Sequence, residues 1–125
     1  MLFPDIPKKY LNSFVLGYFD GNGCVYIEKL EDKIKRLRII FTCGRYEFLK
    51  ILRAKLEENA GIKANIKKYS RAYRLYYDSS QSIKLFCWLY KDKRDGFFLK
   101  RKFDHFDNYF KLKPEKITDK VKRII

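Results

Sequence analysis

Apolar residues recur along this chain at two different periods, which divide it into helical and extended segments. Between residues 45 and 60 the apolar positions are three and four apart, a spacing that predicts a helix ending at Gly61. Segments 24–30 and 36–43 instead alternate every second residue. This alternation predicts a β-hairpin around the charged loop 31–35.

The same patterns predict the remaining elements. An N-terminal helix is expected to begin near Pro7, capped by Asp5 or Ile6, and to end at Tyr18 or Phe19, where glycines follow. A second hairpin is expected next, with strands at 62–68 and 73–78 and a turn at 69–72. A helix capped by Ser79 or Ser80 and ending at 88–90 follows it. A polar turn (91–96) then leads to a last helix over 97–112.

The order of these elements predicts an α+β domain of the αββαββα type, with a four-stranded antiparallel sheet. Residues 1–113 are expected to form this single domain. Residues 114–125 form a tail or short helix of the same domain, whose docking the pattern leaves open.

Alternation within the four strands separates an apolar face from a polar one. The inner set, expected under the helices, is Val25, Ile27, Leu37, Ile39, Phe41, Ile62, Ala64, Ile66, Leu75 and Tyr77. The outer set is Tyr26, Glu28, Arg36, Arg38, Lys63, Asn65, Lys67, Arg74 and Tyr76. A solvated face is the ordinary alternative. Five of these nine side chains are Lys or Arg, beside Tyr and Asn, which favours contact with DNA or RNA.

Net charge supports this interpretation. Twenty-nine Lys and Arg against 15 Asp and Glu give +14, a charge that attracts polyanions. A solubilising surface or a ribosome-associated protein is the alternative. A membrane partner is not expected, because no apolar run approaches the ~20 residues of a membrane span. The N-terminus lacks the pattern of a secretory signal, so a cytoplasmic location is predicted.

The segment 14–23, FVLGYFDGNG, is the most distinctive motif. An apolar helical run ends in an Asp-Gly-x-Gly turn and is followed at once by a strand pattern. Ser13, Gly17 and Gly21 recur every fourth residue, and such a stripe allows two helix backbones to approach closely. Gly17 taken alone could equally relieve a crowded core contact.

This motif resembles the signature of the LAGLIDADG homing endonucleases, with Leu16 in place of its alanine. Further similar segments (44–49, 61–63, 88–92 and 99–103) extend the resemblance over roughly residues 4–112. A chain with one motif implies a homodimer, in which the helices carrying Ser13, Gly17 and Gly21 meet and two sheets cover double-stranded DNA. The implied target is a long pseudo-palindromic DNA site; the sequence leaves open its bases and the host intron or intein.

The resemblance also implies cleavage of both DNA strands with Mg²⁺ or another divalent cation. It places Asn22 at the position of the metal-binding carboxylate, with the Gly21 carbonyl as a possible further ligand. Asp20 matches an aspartate that mainly braces the turn, and Lys102 matches a base that polarises water. Thr42 is the polar candidate at the end of the second strand, and His105 lies without zinc-ligand spacing.

An asparagine at position 22 brings no negative charge to a dication site, so impaired cleavage is expected. Three explanations remain open: a deliberate inactivating substitution, natural loss in a retained DNA-binding protein, or metal binding by Asp20 instead. The predicted function is therefore a homing endonuclease subunit with impaired cleavage. The alternatives are an inactive sequence-specific DNA-binding protein and an RNA-splicing helper on the same scaffold.

Overall fold

The computed structural model describes residues 3–31, 33–91 and 98–125. Its elements are a 3₁₀ helix (Lys8–Tyr10), α1 (Leu11–Asn22), β1 (Gly23–Leu30), β2 (Lys33–Cys43), α2 (Tyr46–Ala60), β3 (Asn65–Lys68), β4 (Tyr73–Tyr77), α3 (Ser79–Leu89), α4 (Lys100–Leu112), a 3₁₀ helix (Pro114–Lys116) and α5 (Asp119–Lys122). The predicted α+β class and the element order are confirmed. Most of the predicted polar turn, residues 92–96, lies outside the described residues, as does residue 97.

The four strands form one antiparallel sheet in the order β1-β2-β4-β3. The inner face carries the predicted apolar set except Ile62 and Ala64, which precede β3, and six of its members (Val25, Leu37, Ile39, Phe41, Leu75 and Tyr77) are buried; Ile62 is buried as well. Residues of α1, α2, α3 and α4 complete the same core. All the helices that cover the sheet therefore pack on one side, because only that side offers a continuous apolar surface.

The first helix is longer than predicted. It continues through both Gly21 and Asn22 instead of ending at Tyr18 or Phe19. Its last carbonyls have partners: the Gly23 N–H donates to the Phe19 carbonyl, and the Lys102 ammonium donates to the carbonyls of Phe19 and Gly23. A helix end held in this way tolerates glycine, which alone would favour an earlier stop.

Other boundaries also move. Pro7 precedes the first 3₁₀ helix as its cap residue, in place of the predicted Asp5 or Ile6. β2 begins at Lys33, so the loop predicted over 31–35 is shorter. α3 is capped by Asp78 instead of Ser79 or Ser80, because the Asp78 carboxylate accepts the Gln81 N–H at 3.0 Å.

The C-terminal tail docks on the helices. Val121 is buried and Ile124 is 9% exposed, and both belong to the main core. Thr118 caps α5 by accepting the Val121 N–H. The tail is therefore a packed part of the domain. Among the described residues, no helix is both long and apolar enough to cross a bilayer.

Candidate nucleic-acid interface and the end of the first helix

The β1–β2 half of the outer sheet face holds its arginines beside a carboxylate. Tyr26 lies opposite Arg38, and Glu28 lies opposite Arg36. One Glu28 carboxylate oxygen is 3.6 Å from Arg38 Nε and 3.8 Å from Arg36 Nε. These are ion pairs too long to be hydrogen bonds. Among the described residues that oxygen has no hydrogen-bond donor, although it is enclosed.

The β3–β4 half of the outer face holds its cations on aromatic rings. Lys67 lies opposite Arg74, and Asn65 lies opposite Tyr76. The Arg74 guanidinium is 4.4 Å from the Tyr69 ring centre, and the Lys67 ammonium is 5.6 Å from that of Tyr76. An aromatic ring attracts and orients a cation but carries no negative charge, so the full charge of Arg74 and Lys67 is kept.

The two tyrosines of this half are linked through their hydroxyls. The hydrogen bond from Tyr69 lowers the pKa of Tyr76, and the Arg74 guanidinium lowers it further. The same hydrogen bond raises the pKa of Tyr69. Tyr69 was predicted only as part of a turn. Its contacts arise because the turn closes through a 2.8 Å bond from the Tyr69 N–H to the Ala72 carbonyl, which brings the ring over the sheet.

The placement of Lys63 on the outer face is wrong. β3 begins at Asn65, and the Lys63 N–H donates to the side chain of Gln81 at 2.9 Å. The Lys63 ammonium pairs with Glu57 of α2 at 3.5 Å. Lys63, two positions before β3, therefore contacts the helices, because no neighbouring strand pairs with it in the sheet.

Ile40 was missing from the predicted outer set. It alternates with Arg38 and Thr42, and it lies opposite Cys24 and Tyr76. It is nevertheless only 7% exposed. The apolar run 39–41 carried this signal, since alternation allows only two of those three residues on the inner face.

Asp20 ties the end of α1 to the start of α4. One carboxylate oxygen accepts the Leu99 N–H at 2.9 Å, and the other is enclosed without a hydrogen-bond partner in the described chain. Burial raises the pKa of Asp20, while the Leu99 N–H and the Lys102 ammonium lower it in part. Burial raises the pKa of the nearby Tyr90 hydroxyl, and the negative charge of the Asp20 carboxylate raises it further. The same bond explains why α4 begins at Lys100, because Leu99 is extended and its N–H is already engaged.

Lys102 completes this junction from α4. Its ammonium donates to the Phe19 and Gly23 carbonyls and lies 4.9 Å from the centre of the Phe19 ring. Burial lowers the pKa of Lys102, and nearby Asp20 partly offsets this effect. A cation at a helix C-terminus is also favoured by the helix dipole. Two of the three ammonium protons therefore serve the backbone around Asn22.

Gly21 and Asn22 are exposed at the last turn of α1. β1 starts at Gly23 opposite Phe41, so the chain at Asn22 runs beside Thr42, whose carbonyl accepts the Tyr18 hydroxyl at 3.0 Å. Phe41 is fully buried, which leaves Thr42 as the polar residue at this strand end, as predicted.

The oxygen atoms at this turn do not match the donor set that Mg²⁺ prefers. The described chain contains no group of three or more His, Cys, Asp or Glu side chains able to hold a metal. Asn22 and Gly21 supply only neutral oxygens; one Asp20 oxygen is enclosed, and the other already accepts the Leu99 N–H. Magnesium sites normally include carboxylates or phosphates. We therefore derive no chemical step through a metal for this chain.

Ser13, Gly17 and Gly21 form an exposed stripe along α1. A Cβ built on either glycine would find no atom within 4 Å apart from its chain neighbours and the backbone of its own helix. Gly17 therefore does not relieve a core contact, which was the alternative interpretation. The stripe offers a flat backbone surface on the outside of the domain.

The sequence matches the model of the LAGLIDADG-like domain over residues 9–88. This match covers more than half of the chain and includes α1, the whole sheet and most of α3. The chain belongs to this family. No curated protein matches it in sequence.

Solved structures share the fold. The LAGLIDADG meganuclease I-AabMI, bound to uncleaved DNA, is similar with a TM-score of 0.64 and 15% identity over 84% of this chain, but this chain spans only 38% of its length. The archaeal intron-encoded homing endonuclease I-Vdi141I, complexed with DNA, gives a TM-score of 0.60 and 19% identity, covering 94% of this chain and 79% of the other. The homing endonuclease I-TnaI gives a TM-score of 0.53 and 13% identity, covering 97% of this chain and 95% of the other.

Proposed function

We propose that this protein binds double-stranded DNA through the outer face of its sheet, as a homodimer with impaired cleavage. The observation that carries the proposal is the outer face itself. It is left open by the helices, and it presents Arg36, Arg38, Lys67 and Arg74 in fixed positions. Arginine and lysine recognise guanine edges and phosphates, and Asn65 offers an amide suited to adenine.

Family membership supports duplex DNA as the ligand. Two of the similar structures, I-AabMI and I-Vdi141I, contain DNA. Selection of bound duplexes from a random pool, followed by footprinting, tests the proposal. We expect a recovered site with two-fold symmetry, whose affinity falls steeply with added salt. Recovery of no preferred sequence would contradict a sequence-specific function.

The homodimer is proposed from the exposed stripe on α1. Gly17→Leu adds a side chain where the monomer has open space, so the fold should persist while two α1 helices can no longer approach. Ala54→Leu, on the exposed side of α2, is the matched control. We expect sedimentation to show a dimer for the parent and the control, and a monomer for Gly17→Leu. A parent that binds its site as a monomer would refute this part.

Impaired cleavage is proposed from the donor set at the end of α1. With Asn22 as the exposed side chain, and with one Asp20 oxygen enclosed and the other bound to the Leu99 N–H, each protomer offers no unengaged open carboxylate oxygen at this turn to a divalent cation. Asn22→Asp would add one carboxylate per protomer, where the family resemblance places the metal ligand. Lys102 would assist by keeping this turn rigid and electropositive, with one proton left for a water or phosphate.

The test compares the parent with Asn22→Asp on the selected duplex, in Mg²⁺ and in EDTA. We expect no double-strand break from the parent and a Mg²⁺-dependent break from the variant. Unchanged binding with no cleavage by either protein would instead favour a DNA-binding protein that is not an enzyme. Competition by structured intron RNA would identify the splicing helper.

A further inference from the structure

The C-terminal tail, α3 and the end of α2 line an open cleft of about 1000 Å³. The tail residues that line it lie beyond residues 9–88, the stretch that the family model matches, whereas its α2 and α3 residues lie within that stretch. It belongs to the helical layer and is separated from the outer face by the sheet itself. It takes no part in the proposed contact with duplex DNA.

Four cations line this cleft: Lys84 and Lys91 from α3 and the turn after it, and Lys120 and Arg123 from the tail. Asp119 is the one carboxylate among the lining residues. Within the described parts of the chain, no ion pair within 4 Å joins any of the four cations to an acid. The cleft is therefore a region of positive electrostatic potential, which suits a ligand with several negative charges.

An aromatic side chain lies among these cations. Trp88 is half-buried in the wall of the cleft, and the Lys91 ammonium is 5.9 Å from its ring centre. Cys87 lies beside it; burial raises the pKa of its thiol, and nearby Lys120 partly counters this effect. An indole flanked by cations provides a surface for stacking bases and a track for the phosphates between them.

We infer that this cleft is a second nucleic-acid site, which binds a short single-stranded segment. A base stacks on Trp88, and the adjoining phosphates contact Lys84, Lys91, Lys120 and Arg123. Duplex DNA does not fit this chemistry, because its bases are already stacked on one another. An acidic peptide would satisfy the charges but would leave the indole without a planar partner.

Trp88 is the only tryptophan, so its fluorescence reports directly on the cleft. The experiment titrates the full chain with ten-nucleotide oligo(U) and oligo(dT), with duplex DNA and with polyglutamate. We expect one or both single strands to quench Trp88 with saturation, including when the sheet is already occupied by duplex DNA. The strand that binds more tightly identifies RNA or DNA as the source of the segment.

The variant Lys120→Gln/Arg123→Gln removes two of the cations without touching the core. We expect at least fivefold weaker single-strand binding by anisotropy, and a salt dependence shallower by about 1.4 in the log–log slope. Lys50→Gln/Lys55→Gln removes the same charge from the exposed side of α2 and should leave the affinity nearly unchanged. Both variants should bind duplex DNA as the parent does, within the small effect of net charge.

Any of the following results would overturn the inference. The first is an absence of quenching by either single strand. The second is equal weakening in the two double variants, which would show that only net charge matters. The third is displacement of the strand by duplex DNA, or equal quenching by polyglutamate. A failure of duplex binding alone would contradict the proposed function and leave this site intact.

Discussion

Two polar regions of this domain use their charges in opposite ways. At the junction of α1 and α4, Asp20 and Lys102 bind backbone groups: the Leu99 N–H and the Phe19 and Gly23 carbonyls. On the described part of the outer sheet face, charged side chains pair with one another or lie against aromatic rings. The first arrangement fixes where the chain turns. The second leaves donors available to a ligand, at little benefit to stability.

This difference predicts that substitutions at the junction change stability, and that substitutions on the outer face change DNA binding. Four experiments test the division, from the largest expected effect to the smallest.

The largest effect is expected for Lys102→Met. Methionine retains the contact with the Phe19 ring but removes the hydrogen bonds to the Phe19 and Gly23 carbonyls. We expect a loss of about 2–3 kcal/mol in the free energy of unfolding, because carbonyls at a partly buried helix end lose a charged donor. Urea denaturation measures it, with Lys111→Met, an exposed lysine of the same helix, as control. Equal stabilities for the two variants would contradict a bracing role.

Arg74→Ala should act on binding and not on stability. Because Tyr69 and Tyr76 orient this guanidinium toward the ligand side, its loss should weaken specific duplex binding by about 1–3 kcal/mol. Arg38→Ala tests the other half of the face in the same assay. Unchanged affinity for both variants, with unchanged thermal unfolding, would remove the outer face from the interface.

Glu28→Gln should strengthen binding to non-cognate duplexes. The Glu28 carboxylate lies between two arginines and repels phosphates, so removing its charge frees both cations. We expect roughly three- to tenfold tighter non-specific binding, and a steeper dependence on salt. Glu115→Gln, an exposed carboxylate outside the sheet, is the control for net charge. The same gain from both variants would refute a local effect.

Asp20→Asn is expected to have the smallest effect, within about 1 kcal/mol at neutral pH, since the amide oxygen still accepts the Leu99 N–H. The folded pKa of Asp20 is raised above its ordinary value of 3.8, so its protonated form favours folding. Relative to the non-titrating variant, the parent should therefore lose stability as pH rises from below 3.8 through the folded pKa. Paired denaturation curves from pH 3 to 7 measure this difference, and the opposite slope would contradict the burial of Asp20.

Local patterns accounted for most of the fold. The spacing of Phe48, Leu52 and Leu56 indicated α2, and Gly61 ends it in the left-handed conformation with φ 67°. Alternation identified the inner face of the sheet, because burial on one side imposes a period of two. The errors lie at boundaries, where a distant partner decides. α1 runs past Gly21 because the Lys102 ammonium donates to the Gly23 carbonyl. These two residues are 79 positions apart, so no local pattern could reveal the contact.

The candidate site divides in the same way. The motif placed Gly21 and Asn22 in the turn just after the first helix, close to where α1 ends, and marked the exposed stripe, since both features depend on neighbouring residues. It could not show that Asp20 binds the Leu99 N–H at the start of α4, nor that Lys63 pairs with Glu57 instead of lying on the sheet. Those outcomes depend on which elements pack beside them.

The sequence by itself determined the family, the layered α+β architecture and the basic outer face, because periodicity and charge are local properties of a chain. Only the tertiary structure decided which charges serve the fold and which remain for a ligand. It also brought the tail against Trp88 and built a basic cleft there. Such choices depend on contacts between residues far apart in sequence, whose geometry no local pattern encodes.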